Sequence, residues 1–149
     1  MKEVLMELLG AYICCTGFAV IFRTKKKRLF LSGISAVVGW AVCCMVEVHT
    51  DSIFTIYFMG AATVTLFSEI MARVTKAPAT VYLIPGLLPL VPGGSLYYTT
   101  HALVMGDEAG AALHGNNTAL AALGIAFGLV VVSVIIHYYN EFKLRKKVA

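Results

Sequence analysis

The stretch IPGLLPLVPGG, Ile84 to Gly94, contains three of the four prolines of this chain and three of its glycines. The residues on both sides of it are mostly apolar, with ATVYL before it and SLYYTTHALV after it. Proline removes a backbone N–H donor, and glycine has no steric preference for the helix. We therefore predict that an apolar helix is interrupted within this stretch.

The composition is typical of an integral membrane protein. Of the 149 residues, 59% are hydrophobic and only 13% are charged, against about half and about a quarter in soluble domains. A helix of roughly 20 residues spans the hydrocarbon core of a bilayer. Four apolar windows are long enough, and the proline-rich segment makes a fifth. We predict one all-α transmembrane domain, residues 1–149, with five helices at 4–22, 29–46, 53–72, 80–104 (broken at 89–94) and 118–138.

The basic residues are distributed very unevenly along the chain. Apart from Lys2, every lysine and arginine lies within residues 23–28, 73–76 or 143–147. Five crossings place these three clusters on one side, and cytoplasmic loops are the ones enriched in Lys and Arg. We predict an outer N-terminus, a cytoplasmic C-terminus and an outer loop, GDEAGAALHGNN, followed by an N-cap at Asn117 or Thr118. Topology accounts for the net charge of +4, so no nucleic-acid partner is predicted.

The prolines recur at intervals that place them on one face of a helix. Their separations are seven, four and three residues in the order Pro78, Pro85, Pro89 and Pro92, and a helix turns once in about 3.6 residues. Without proline N–H donors, the carbonyls of Val81, Pro85 and Leu88 lose their helical partners. Irregular backbone at membrane depth is tolerated only against protein or a water-filled cavity. We expect this face to point into the bundle or toward a cavity.

A second half-helix beginning near Ser95 would present free backbone N–H groups at a partly positive end, which attracts anions. Discontinuous helices of this kind form substrate sites in secondary transporters. The segment is therefore a candidate site for a small carboxylate substrate. Its predicted binding residues are Pro85, Pro89, Pro92, Gly93, Gly94, Ser95 and Tyr97. The alternative is a kinked structural helix with no substrate.

Three ionisable residues are candidates for proton coupling, because ionisable groups within membrane spans are costly and often functional. His101 lies on the second half-helix, and histidine titrates near neutral pH; an interfacial histidine is the alternative explanation for it. Glu69 has Arg73 at i+4, so a local ion pair is the alternative explanation for it. Glu47 is the third candidate, although it lies at the outer end of the second helix, close enough to water to need no partner. Glu7 is about one turn inside the outer boundary.

Neither catalysis nor a cofactor is predicted. No HExxH, GxSxG or Walker sequence occurs in the chain, and no cysteine–histidine pairing has a meaningful spacing. The four cysteines form two adjacent pairs in apolar runs and are interpreted as small packing residues. Glycines at GxxxG spacing, Gly124 and Gly128, predict close helix packing in the last span. Such small-residue stripes favour a homo-oligomer or a complex with a partner subunit.

The run LPLVPGGSLYYT, Leu88 to Thr99, resembles the proline-glycine signature of the threonine/serine exporter family. The closest likeness is to its small subunit, which corresponds to the C-terminal half of the fused members. The order of segments is also similar, with a basic inner loop, a broken fourth segment, a glycine-bearing fifth segment and a basic tail. The likeness covers essentially the whole chain, and its specificity rests on Pro89, Pro92, Gly93 and the region of Tyr97.

This resemblance implies a secondary transporter in the bacterial inner membrane. It implies export of a small carboxylate metabolite, either threonine and serine or a dicarboxylate such as succinate. It also implies a larger membrane subunit that carries the other half of the bundle. Two alternatives remain open at this point: a structural or assembly subunit without its own substrate path, and a channel formed by a homo-oligomer.

Overall fold

The computed structural model describes residues 2–148, and every regular element within that range is helical. The bounds of the α-helices are α1 Lys2–Ile21, α2 Lys26–Glu47, α3 Ile53–Thr75, α4 Thr80–Leu87, α5 Gly93–Met105 and α6 Glu108–Val148. A single 3₁₀ turn, Leu88–Leu90, joins α4 to the link before α5. The predicted all-α fold is confirmed.

Four of the described helices contain segments long and apolar enough to cross a membrane, namely Val4–Ile21, Arg28–Glu47, Ile53–Thr75 and Glu108–Asn140. The segments Thr80–Leu90 and Gly93–Met105 pass the same test together, with a bend of 45° between them. Counted as one span, this pair is the fifth crossing. The predicted break in the fourth segment therefore exists, and it lies between Leu87 and Gly93.

The last helix begins ten residues earlier than predicted, at Glu108 rather than Thr118. The Asp107 carboxylate accepts a hydrogen bond from the Gly110 backbone N–H at 2.9 Å, which is the geometry of an N-cap. Alanine-rich sequence follows and favours the helix. Thr118 instead donates its hydroxyl to the His114 carbonyl within the same helix. The prediction of a cap at Asn117 or Thr118 after a 12-residue loop was therefore wrong.

Glycines bring the helix backbones close together. On α6, a Cβ added at Gly124 would lie 2.6 Å from the Phe54 carbonyl oxygen, and one at Gly128 would lie 2.6 Å from the Phe58 carbonyl oxygen. The GxxxG pair therefore packs directly on the backbone of α3, and α3 with α6 forms the most extensive helix contact of the fold. On α2 and α3, Gly39 and Gly60 allow a similar approach.

The break lies against the centre of the bundle. Leu90, in the 3₁₀ turn, is fully buried in a cluster with Cys43, Ala61 and Val64 of α2 and α3. Gly86, one turn earlier, has its open face against Ser35 and Val64. These contacts from two long helices cover one side of the interrupted backbone with protein, while Val91 in the same link is exposed.

The carbonyls that the prolines deprive of donors find other partners. The Ser32 hydroxyl of α2 lies 3.1 Å from the Val81 carbonyl and 3.1 Å from the Arg28 carbonyl of its own helix, so its single proton is shared between these two acceptors. The Leu88 N–H donates to the Pro85 carbonyl, and the Val91 N–H donates to the Leu88 carbonyl at 3.2 Å. The 3₁₀ turn thus arises because shorter i+3 bonds replace those that proline removes.

Only part of the proline face points inward. Pro85 is fully buried, while Pro89 and Pro92 are half-buried. Pro78 is exposed because it precedes α4 rather than lying in it. The predicted face therefore applies to the three prolines from residue 85 onward, and the inclusion of Pro78 was wrong.

Candidate functional site

A cavity of about 340 Å³ opens at the predicted outer end of the bundle, and we call it the outer cavity. All the long helices and α5 contribute to its wall. Its lining residues are Glu7, Trp40, Cys43, Cys44, Glu47, Ile53, Ile56, Tyr57, Ser95, Asn117 and Ala121. It combines aromatic and aliphatic walls with a few polar groups, which is the usual make-up of a small-molecule site.

A second cavity of about 270 Å³ adjoins the first, and we call it the adjoining cavity. Its lining includes Glu7 and Trp40, which are shared with the outer cavity, together with Gly10, Ala11, Cys14 and Pro89. Pro89 connects this space to the helix break. The two cavities therefore meet at the side chains of Glu7 and Trp40, next to the interrupted segment.

The side chains of Glu7 and Trp40 are hydrogen-bonded to each other. The indole N–H of Trp40 donates to the Glu7 carboxylate at 3.1 Å, and the Cys44 thiol lies 3.8 Å from the same oxygen. α1 supplies the carboxylate and α2 supplies both donors, so the contact joins the two helices at the cavity wall. Sequence reasoning assigned Glu7 no partner. The available signal was an indole in the middle of the second span that needed an acceptor.

A third cavity, of about 170 Å³, lies at the opposite end of the bundle, between the α1–α2 link and the start of α4. We call it the inner cavity. Pro85 lines it together with Val81, Ile84 and Thr80 of the broken segment, and Phe22 and Thr24 complete it. The segment from Pro85 to Pro89 therefore reaches from the inner cavity to the adjoining cavity. The broken segment thus contacts the inner cavity through Pro85 of α4 and the adjoining cavity through Pro89 of the 3₁₀ turn.

The N-terminus of α5 has no side-chain cap. Its first N–H, on Gly93, bonds to the Val91 carbonyl at 2.7 Å, and the Leu96 N–H bonds to the Pro92 carbonyl at 3.1 Å. Ser95, between them in sequence, lines the outer cavity. The first turn of α5, where a helix dipole has its positive end, therefore reaches the cavity through Ser95.

The remaining predicted binding residues occupy different places. Gly93 and Gly94 are exposed, and a Cβ added at either would meet no atom within 4 Å. Tyr97 is 62% exposed and points away from the outer cavity toward Tyr98 and His101. Pro92 is half-buried at the N-cap position of α5. The structure therefore brings Ser95 and Pro89 to the joined cavities, Pro85 to the inner cavity, and Tyr97 to neither.

The structure places the three candidates for proton coupling in different surroundings. Glu47 lines the outer cavity. Glu69 lies 3.9 Å from Arg73, which also donates to the Asn140 side chain at 3.1 Å, so the local ion pair is present. His101 is exposed on α5 beside Tyr97. Glu47 is therefore the candidate that shares a cavity with Ser95.

Four long helices and the bent pair of α4 and α5 give up to five membrane spans, the architecture of a multi-pass α-helical membrane protein. A family model described as "Threonine/Serine exporter, ThrE" matches residues 7–135. The chain belongs to the threonine/serine exporter family, which is a family of transporters and not of enzymes. The resemblance found in the sequence is confirmed. Searches of the curated proteins and of the solved structures give no match.

Proposed function

We propose that this chain is a subunit of a secondary transporter that exports a small carboxylate metabolite across the bacterial inner membrane. The substrate is threonine or serine, or a dicarboxylate such as succinate. The family membership supports the exporter class, and the substrate-binding residues are proposed from the cavity.

The observation that carries the proposal is the outer cavity beside the uncapped N-terminus of α5. Its volume of about 340 Å³ lies within the range of roughly 300–1,000 Å³ that ligand pockets occupy. Ser95 opens onto it, and the free N–H groups at this helix end favour a negatively charged group. Substrate sites of secondary transporters are formed by half-helix ends of this kind.

The arrangement of cavities supports transport rather than a static kink. The broken segment contacts the adjoining cavity through Pro89 and the inner cavity through Pro85. Leu90, directly after Pro89, is fully buried against α2 and α3. A segment that reaches both ends of the bundle can open one side while the other is closed, which alternating access requires. We assign Pro85, Pro89 and Ser95 to the substrate path.

The proposed partner is a larger membrane subunit of the same family, a second copy of this chain, or both. α5 packs extensively only on α6, and its other side carries the exposed apolar residues Leu96, Leu103 and Val104. Exposed apolar residues alone would also suit lipid. The uncovered side of α5 is nevertheless next to the proposed substrate path, where a partner would close the wall.

The proposal is tested by efflux of labelled threonine and labelled succinate from proteoliposomes that contain the chain and its larger partner. Gly93→Leu and Gly94→Leu, in the first turn of α5 next to Ser95, are expected to reduce efflux at least tenfold. A Cβ added at either position would meet no atom of this chain within 4 Å, so loss of efflux would report on the proposed substrate path or partner and not on folding. Gly17→Leu is the matched control, since Gly17 also has open space around it but lies in α1 rather than at the N-terminus of α5.

Efflux of neither substrate by the wild-type protein would contradict the proposal. An assembly role predicts that the leucine variants change the amount of complex without changing substrate selectivity. A channel predicts single-channel conductance from this chain without a partner. These outcomes separate the three functions.

A further inference from the structure

The two joined cavities carry negative charge without a basic residue to balance it. Glu7 lines both, and Glu47 lines the outer one. No lysine, arginine or histidine is among the described residues that line either cavity. Carboxylates in a partly dehydrated space are stabilised by a nearby positive charge. A ligand that brings its own positive charge would therefore fit this space better than one that brings only negative charges.

Glu7 is the better placed of the two carboxylates to meet a ligand. It is the acidic residue at the junction of the two cavities, while Glu47 is in the last turn of α2 at the outer rim. Its hydrogen bonds come from neutral donors, the Trp40 indole and the Cys44 thiol. These bonds hold the carboxylate in position and leave its charge uncompensated.

Trp40 adds a second feature that favours a cation. Its ring lines both cavities beside the carboxylate, and the face of an indole attracts ammonium groups more strongly than any other side-chain ring. A carboxylate and an indole face together form a suitable place for an organic ammonium. Ser95, which also lines the outer cavity, lies in the first turn of α5, at the positive end of the helix dipole.

We propose that Glu7 is a specificity-determining residue that binds the ammonium group of a zwitterionic ligand in the outer cavity, beside the Trp40 ring. The ligand carboxylate then lies toward Ser95. This inference rests on the proposed function and narrows it, because a dicarboxylate has no positive charge to offer Glu7. The carboxylate at residue 7 thus selects α-amino acids over dicarboxylates.

The chain contains a built-in reporter of this contact. Trp40 is its single tryptophan, so intrinsic emission reports on the residue bonded to Glu7. The full chain in lipid nanodiscs is titrated with threonine, with succinate and with sodium chloride. Threonine is expected to change the Trp40 emission in a saturable way, while succinate and sodium chloride at equal concentration do not. Sodium chloride separates an inorganic cation from an ammonium group.

Three variants connect the response to Glu7. Glu7→Gln keeps the shape and removes the charge, and it is expected to raise the half-saturating threonine concentration about 10- to 100-fold, the range for a lost hydrogen bond to a charged group. Glu7→Asp, which retains a carboxylate, is expected to fall between Glu7→Gln and the wild type. Glu69→Gln is the control, because Glu69 pairs with Arg73 away from the cavity.

Several results would overturn the inference. One is a half-saturating concentration in Glu7→Gln equal to that in Glu69→Gln. Another is a response to succinate, or to sodium chloride alone, as strong as that to threonine. If Glu7→Gln fails to insert into the membrane, Glu7→Asp replaces it in the test. A threonine affinity of Glu7→Asp equal to that of the wild type would then overturn the inference.

Uptake of labelled threonine and labelled succinate into proteoliposomes separates a failure of the Glu7 assignment from a failure of the proposed function. If the wild type transports threonine and Glu7→Gln leaves its KM unchanged, the role of Glu7 is wrong and the proposed function stands. If the wild type transports neither threonine nor succinate, the proposed function itself fails.

Discussion

At the scale of single residues, the proline-rich stretch is stabilised by a donor that is distant in sequence. Pro85 leaves the Val81 carbonyl without its helical partner, and this could be predicted from the spacing alone. The replacement donor is the Ser32 hydroxyl, which lies 49 residues earlier on α2. No periodicity in the sequence links these two positions, so the pairing emerged only from the packing of α4 on α2.

Replacing Ser32 with alanine tests this bond. Loss of the hydroxyl removes this donor from the half-buried Val81 carbonyl, and the free energy of unfolding is expected to fall by about 1 kcal/mol. Ser35→Ala is the matched control, because the buried Ser35 hydroxyl has no hydrogen-bond partner among the described residues. Its removal is expected to be neutral or slightly stabilising. Unfolding in mixed micelles, followed by helical circular dichroism, measures both, and equal effects would contradict the assignment.

Glu7 shows where residue-level prediction failed. The sequence places Glu7 about one turn inside the outer boundary and predicts no partner for it. The structure instead bonds it to Trp40 on the neighbouring helix and places it at the junction of two cavities. The burial of a polar ring in mid-span was visible in the sequence, but its acceptor depended on how α1 crosses α2.

At the scale of helices, the existence of the spans and of the break followed from apolar length and from proline chemistry. The residues at which the helices begin and end were predicted less accurately from the sequence. α6 begins at Glu108 because the Asp107 side chain caps it, while the polar composition of GDEAGAALHGNN suggested a loop. The first residues of that segment combine a good N-cap with strong helix formers, and this local signal outweighs average polarity.

Asp107→Ala is expected to fray the first turns of α6. The cost of a lost N-cap is about 0.5–2 kcal/mol, and it should appear as faster hydrogen exchange of the amides from Gly110 onward. Asn117→Ala, in the middle of the helix, is expected to leave this exchange unchanged. Faster exchange in Asn117→Ala alone would show that the helix begins where the sequence suggested.

The contact between α3 and α6 depends on glycine at two positions. Gly124→Leu is expected to separate the helices, since even a Cβ there would lie 2.6 Å from the Phe54 carbonyl oxygen. The expected loss exceeds about 2 kcal/mol, as in overpacked cores. Gly17→Leu, with open space around it, should leave stability unchanged. Unfolding in micelles measures the difference, and similar stability of the two variants would contradict the packing.

At the scale of the whole molecule, the number of crossings decides the orientation. The bent pair of α4 and α5 counts as one span or as a re-entrant hairpin, and the uneven distribution of basic residues favours five crossings. We expect a fluorescent protein fused after residue 149 to be fluorescent in the cytoplasm. We expect alkaline phosphatase fused after Gly106 to be active outside. The reverse pattern would show that the predicted orientation is wrong. A third fusion after Lys76 tests the bent pair itself, because a crossing pair places residues 76 and 106 on opposite sides and a re-entrant pair places them on the same side.

The outer cavity is the place where the whole fold and the proposed function meet, and filling it is the most direct test. Ser95→Trp projects a large side chain into the cavity, while Thr100→Trp places the same side chain on an exposed position of the same helix, away from the cavity. Efflux of labelled threonine and succinate from proteoliposomes is measured for both. Loss of efflux in Ser95→Trp, at unchanged membrane levels, with retention in Thr100→Trp is the predicted result. Wild-type efflux in Ser95→Trp would show that substrate does not pass through the outer cavity.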